Sequence, residues 1–206
     1  MRVLSHGKEN ASLKIGILGD GMVGRTLAEK LTALGHEVKI GKRGTFGEAA
    51  GFGDLLMSCT TGTTSLDALR SCPPETLNGK TLIDISNPLD FSKGLPPTLM
   101  ICNDDSLGET IQREFPQLNV VKALNTANCQ VMVNPARVAG EHDLFIAGNS
   151  ADAKQAVTEL LRSFGWRTII DLGDITGARA TETLMFIWMR LYGMYGPLIN
   201  FHIARA

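Results

Sequence analysis

At 206 residues the chain is long enough for one sizeable domain, or for one domain with a small appendage. Apolar residues make up 44% of it, enough to fill the core of a fold that buries roughly 70% of its unfolded surface. Lys and Arg (20) nearly balance Asp and Glu (21), and without a long basic run broad nucleic-acid binding is disfavoured.

The chain opens on "MRVLSHGKENAS", which is polar, lacks an apolar core segment and reads as a loose leader rather than a secretion signal. Its Asn10-Ala11-Ser12 has the form of a glycosylation acceptor, but nothing else points to secretion. "LKIGIL" (Leu13 to Leu18) is a short apolar run, as expected of a strand buried on both faces. Val23, Leu27, Leu31 and Leu34 then recur at helical spacing, and Gly35 supplies a stop. "HEVKIG" is the second strand, so the chain begins β-α-β. "DLLMSCT" and "KTLIDIS" are two further strands, separated by a helix around Ser65 to Arg70. Asn87-Pro88 ends the fourth strand, because a residue before proline favours extended geometry. "PPTLMIC" reads as a loop or a weak strand. "SLGETIQREF" is a helix begun by Ser106, with Glu109 completing a capping box. The remaining strands are "NVVKAL", "DLFIAG" and "TIIDLG". Between the last two, Ser150 caps a helix that turns Leu160, Leu161 and Phe164 inward and stops at Gly165.

Strands alternating with helices predict an α/β fold with a doubly wound, mostly parallel sheet. Such sheets bind ligands beyond the carboxyl ends of their strands. That topology gathers Gly19 to Gly24, Lys42-Arg43, Thr60-Thr61, Asn87 and Asn125-Thr126 on one rim. The four cysteines, Cys59, Cys72, Cys102 and Cys129, and the four histidines are dispersed, so no metal-ligand set is read. The thiols are expected to be buried, in a reducing cytoplasmic setting.

Gly19, Gly21 and Gly24 form a Gly-x-Gly-x-x-Gly that follows a strand and opens a helix, the context in which this motif binds a dinucleotide. Gly19 permits the tight turn, Gly21 lets backbone approach a pyrophosphate, and Gly24 lets helix pack on strand. The N–H groups of Met22 and Val23 are expected to face the phosphates, and Asp20 to bond loop amides. About twenty residues on, an acid would accept the ribose hydroxyls of NAD. Here Lys42 and Arg43 stand instead, and two cations suit the 2′-phosphate of NADP.

The order of "GILGDGMVG", "GKR", "LIDISNPLDF", "VVKALNT", "LFIAGN" and "INFHIAR" resembles the coenzyme F420-dependent NADP oxidoreductase family, which includes the reductase domain of the six-transmembrane metalloreductases. The resemblance implies a Rossmann NAD(P)-binding fold with NADP(H) in the glycine-rich cleft. It also implies hydride exchange with F420 or a flavin lying over the nicotinamide. Matched to the family's motifs, Asp20, Gly21, Met22 and Val23 fall in the phosphate loop, and Lys42-Arg43 replace its usual Ser-Arg pair. Thr60-Thr61 replace an aliphatic-proline pair near the nicotinamide, while Asn87, Asn125 and Thr126 fall on the cleft lining. Lys122 lies mid-strand, where it serves a structural contact as readily as a base, and no catalytic residue is assigned. β-Hydroxyacid dehydrogenases and pyrroline-carboxylate reductases need a further helical domain of roughly a hundred residues, for which the stretch after Gly177 is too short. The expected activity is NADP(H)-dependent hydride transfer to a small-molecule acceptor. An NADPH-binding redox sensor, or a ferric or quinone reductase, are the alternatives.

These features divide the chain into a Rossmann domain, residues 13–176, and a C-terminal helical segment, residues 177–206. In "ETLMFIWMRLYGMYGPLINF" (Glu182 to Phe201) the apolar residues from Leu184 to Tyr192 surround the helix, leaving no polar face except Arg190. Arg190, Gly193, Gly196 and Pro197 interrupt the run and argue against a membrane span. One face is therefore expected to cover the sheet beside the cleft, and the other to meet a second copy in a homodimer. Trp188, Met189, Tyr192 and Tyr195 would be its anchors.

Overall fold

A computed structural model describes residues 12–205; residues 1–11, on which the expected leader and most of the Asn10-Ala11-Ser12 acceptor fall, lie outside them. The first half runs β1 (Lys14–Leu18), α1 (Met22–Ala33), β2 (Glu37–Gly41), α2 (Phe46–Phe52), β3 (Leu55–Ser58), α3 (Ser65–Arg70) and β4 (Thr81–Asp84). Two short strands, β5 (Leu89–Asp90) and β6 (Thr98–Leu99), form a hairpin outside the main sheet. The second half runs α4 (Leu107–Glu114), β7 (Asn119–Ala123), α5 (Cys129–Val133), β8 (Asp143–Gly148), α6 (Ala151–Ser163) and β9 (Thr168–Asp171). Helices α7 (Ala178–Thr183) and α8 (Met185–Tyr195) follow.

The seven-stranded sheet has the order β2-β1-β3-β4-β7-β8-β9. Its first five strands are parallel, whereas β8 runs antiparallel to β7 and β9 follows β8. This is the doubly wound, mostly parallel sheet expected, with β1 between the two directions of winding.

Alternation along the strands sends side chains into two cores. Ile15, Ile17, Met57 and Val121 pack with Leu27 and Leu31 of α1 and with Val157 and Leu161 of α6. Leu18, Leu56, Leu82 and Val120 pack with Ala49 of α2, Ile111 of α4 and Ala178 of α7 on the opposite face. Each fully buried Leu or Ile contributes about 1.5–3 kcal/mol, so these stripes fix which helix face meets the sheet. Leu34 departs from the expected stripe: it caps α1 and is 39% exposed, because the helix ends before its side chain reaches the sheet. Of the thiols, Cys72 and Cys129 are buried and Cys59 half-buried, but Cys102 is exposed, since it lies in the irregular loop after β6.

The helix starts follow the capping chemistry. Ser150 Oγ accepts from Ala153 N–H at 3.2 Å and Ser106 Oγ from Glu109 N–H at 3.1 Å. The Glu109 half of the capping box is different from expectation. Its carboxylate accepts from the Ser106 hydroxyl and from Arg179, while Asp105 takes the Ser106 N–H. At the C-terminal end it is α7 that lies on the sheet; within α8 only Met185 is buried. Among the described residues no helix is long and apolar enough to cross a membrane.

Candidate functional site

Register places the candidate residues. Leu18 sits beside Gly41 on one side and Ser58 on the other, Ser58 beside Asp84, and Asp84 beside Lys122. Five parallel strands therefore end level, and the loops that follow them form one rim.

At the first loop, Gly19 N–H donates to Gly41 O at 2.9 Å, which ties the glycine turn to the end of β2. Gly21 is the N-cap of α1, with extended backbone and no side chain to satisfy the first N–H groups of the helix. The positive end of α1, at Met22 and Val23, is thus open to an anion. Asp20 does not bond loop amides as expected. Its Oδ1 accepts from Arg25 Nε at 2.8 Å, and that hydrogen bond, with smaller help from Lys42, holds the carboxyl below its usual range. Arg25, one turn into α1, thereby masks the single negative charge of the loop.

Lys42 and Arg43 follow β2 in a turn closed by Lys42 N–H donating to Thr45 Oγ1 at 3.0 Å. Both are exposed, and among the described residues neither forms an ion pair.

The loops after β4 and β7 are locked together. Asn87 Nδ2 donates to Asn125 O at 2.9 Å, and Asn125 Nδ2 donates to Asn87 Oδ1 at 2.9 Å. Leu124, in the left-handed region at φ 65°, turns the chain so that Asn125 can make this pair.

Beside these amides lies a recess of about 240 Å³. Met22, Val23, Thr60, Asn87 and Asn125 of the candidates line it. Thr61 does not: it is exposed, its hydroxyl occupied by Thr63 and Thr64. Thr126 is buried behind the wall at 2% exposure. Residues that sequence reasoning did not select complete the lining: Cys59, Ile85, Ala127 and Asn128 from the loops, Cys129 and Met132 of α5, and Met185 and Trp188 of α8. None of them carries a charge. Burial, with the Asp84 charge adding, drives the Cys59 thiol far above its ordinary range, so it stays protonated. The recess can align and dehydrate a ring but offers no ionised acid or base.

Beneath the rim, the fully buried Lys122 has a structural assignment. Its Nζ donates to Asp84 Oδ2 at 2.8 Å and to Ser86 O at 2.6 Å, and pairs with Glu182 Oε1 at 2.8 Å. Burial opposes the ammonium, but the Asp84 and Glu182 charges outweigh it and hold Lys122 above the usual lysine range. Glu182 also accepts from Leu107 N–H (2.9 Å) and Gly108 N–H (3.1 Å) at the start of α4. One cation thus joins β7, β4, the loop leading to Asn87, and α7. Opposite charges set inside the apolar runs "TLIDIS" and "VVKAL" were the available sequence signal for this pair.

Residues 14–72 match the family described as "NADP oxidoreductase coenzyme F420-dependent". The chain is 46% identical to a solved Arthrobacter sp. FB24 protein provisionally named F420-dependent NADP reductase, with a TM-score of 0.92 over 94% of this chain and 100% of that one. It is 29% identical to the metalloreductase STEAP3 of Rattus norvegicus over 83% of this chain, and 26% identical to the F420-dependent NADP reductase of Methanocaldococcus jannaschii over 66%. It spans 36% and 61% of the lengths of those two curated relatives.

Proposed function

The chain belongs to the coenzyme F420-dependent NADP oxidoreductase family, and on that premise we propose that it passes a hydride between NADP(H) and F420 or a flavin-like acceptor lying over the nicotinamide. It is an oxidoreductase of an NADP-dependent family; the acceptor is the proposed part. The observation that carries the reading is the uncharged recess beside an open helix N-terminus, because hydride transfer between two bound rings needs alignment and exclusion of water more than proton chemistry. In this reading Gly19, Asp20, Gly21, Met22, Val23 and Gly24 hold the pyrophosphate, and Lys42 and Arg43 the 2′-phosphate. Thr60, Asn87 and Asn125 face the nicotinamide side, with Thr61 and Thr126 supporting their loops. NADP(H) supplies the hydride; the protein's own groups orient it.

The test is NADPH oxidation with F420, FMN, riboflavin, a quinone and ferric citrate in parallel. F420 or a flavin should be reduced, and deuterium from NADPH labelled at the transferred position should appear on reduced F420. Label recovered only in water would refute direct transfer. Turnover with the quinone or ferric citrate alone would make the protein a different reductase, and binding without any turnover would make it a sensor.

Arg43→Ala should weaken NADPH binding by about 1.5–3 kcal/mol, or about ten- to a hundredfold, through loss of a charge-assisted phosphate contact. Calorimetry should show NADH affinity nearly unchanged. An equal loss for both cofactors would remove the 2′-phosphate role.

For the C-terminal segment, residues 177–206, the proposal is that it walls the cleft and joins two copies in the cytoplasm. Phe186, Ile187, Tyr192, Met194 and Tyr195 are 43–68% exposed on α8, an apolar outer surface suited to a second copy. Trp188 and Met189 are half-buried in the single chain. Light scattering at micromolar concentration should give about twice the chain mass; a fully active monomer would count against the interface.

A further inference from the structure

Helix α8 separates two recesses. One is the uncharged cleft beside Asn87 and Asn125; the other is an apolar groove of about 1090 Å³ between α8 and the β5–β6 hairpin, walled by Phe91, Leu95 and Pro97. Met185 and Trp188 line both. Trp188 stacks on Tyr192, with ring centroids 5.3 Å apart and planes 28° apart. Among the described residues three buried side-chain polar atoms lack a hydrogen-bond partner: Ser58 Oγ, Asn200 Oδ1 and Trp188 Nε1. Only the last belongs to a residue that lines the cleft. The other tryptophan, Trp166, donates its Nε1–H to Met132 O at 2.9 Å, as a buried indole ordinarily does.

We propose that Trp188 orients the acceptor: its indole N–H donates to a ring carbonyl oxygen of a planar, fused-ring acceptor bound in the cleft beside Asn87 and Asn125. The inference rests on the hydride-transfer reading and sharpens it. A donor buried without a partner is costly unless a ligand brings the acceptor atom. Of the other lining donors, the Asn87 and Asn125 amides are paired with each other and the Thr60 hydroxyl with Ser65, which leaves beside the indole N–H only the Cys59 thiol, a weak donor, and the half-buried Asn128 amide. The stacked Trp188–Tyr192 pair offers a flat aromatic edge against which a ring can pack. A ferric chelate supplies neither a planar apolar edge nor a ring carbonyl, so this site selects ring acceptors against chelates.

The experiment compares the full chain with Trp188→Phe, which keeps an aromatic ring and removes the N–H. KM for the ring acceptor should rise about threefold to tenfold, the loss of one neutral hydrogen bond. NADPH affinity by calorimetry and the mass in light scattering should stay unchanged. Infrared difference spectra of bound FMN or F420 should show a ring carbonyl stretch at lower frequency in the parent than in the variant. An unshifted carbonyl band with unchanged KM would overturn the role of Trp188 while leaving hydride transfer standing. A variant that falls to half the mass would overturn it too, by assigning the indole N–H to a second copy. If no ring acceptor oxidises NADPH in the parent, the reading beneath it fails, and this inference with it.

Discussion

Lys122→Met should lower stability by about 3–5 kcal/mol, a large share of the 5–15 kcal/mol typical of a domain. The substitution preserves much of the side-chain volume, so the loss is electrostatic: Asp84 and Glu182, both within 2.8 Å of the ammonium and buried, would face each other without a counter-charge. Ser86 O would also lose its partner. Urea denaturation should show the midpoint falling with little change in slope. The triple variant Lys122→Met, Asp84→Asn, Glu182→Gln should recover part of the loss, because no buried charge then remains. A single variant costing less than about 1 kcal/mol would mean that the ammonium is not the counter-charge. The pH dependence has a definite sign. The folded-state value of Lys122 lies above the ordinary 10.5, so its contribution is complete below that value and is lost only as pH rises through the folded value. Near neutrality the contribution of Lys122 is therefore present in full, and any pH dependence of stability there should come from other groups.

Gly24→Ala should lower NADPH affinity at least a hundredfold, whereas the fold survives with a loss of about 1–3 kcal/mol. A Cβ at position 24 would lie 2.0 Å from Gly19 O, so the glycine loop must move away from α1. Movement of the loop misaims the Met22 and Val23 N–H groups, and each hydrogen bond to a charged phosphate is worth about 1.5–3 kcal/mol. Gly21→Ala is the contrast. Nothing in the protein lies within 4 Å of a Cβ there and its backbone is ordinary, so stability should be untouched while affinity falls through contact with the ligand. If calorimetry found Gly24→Ala binding NADPH as the parent does, this turn would not be the phosphate site.

The first β-α-β unit was legible because three local signals coincide there: an apolar run, glycines at fixed spacing, and a helical stripe ending at Gly35. Capped helices were equally legible, and α3 spans the Ser65 to Arg70 expected. Helix α2 was not, because Gly47 and Gly51 lower its propensity and it is held by packing Ala49 and Ala50 on the sheet. The direction of β8 was hidden for a different reason: periodicity says which residues face the core and nothing about which way a strand runs. The cleft was half legible. Loop residues follow from topology, but Met185 and Trp188 enter it from a helix more than fifty residues beyond the last rim loop, and apolar residues there read equally well as an interface. The link from Glu182 to the start of α4 spans 75 residues and has no local signature.

If Lys42 and Arg43 hold the 2′-phosphate as proposed, their exposure makes cofactor choice a property of the solvent as well as of the chain. Buried charges such as Lys122 are shielded from dissolved ions by the protein around them. The pair at the end of β2 is bathed in them, and screening acts over about 8 Å at physiological ionic strength. On that proposal, discrimination between a phosphorylated and an unphosphorylated ribose should be widest in dilute buffer and narrow as salt is added, while backbone N–H contacts to the shared pyrophosphate should weaken equally for both.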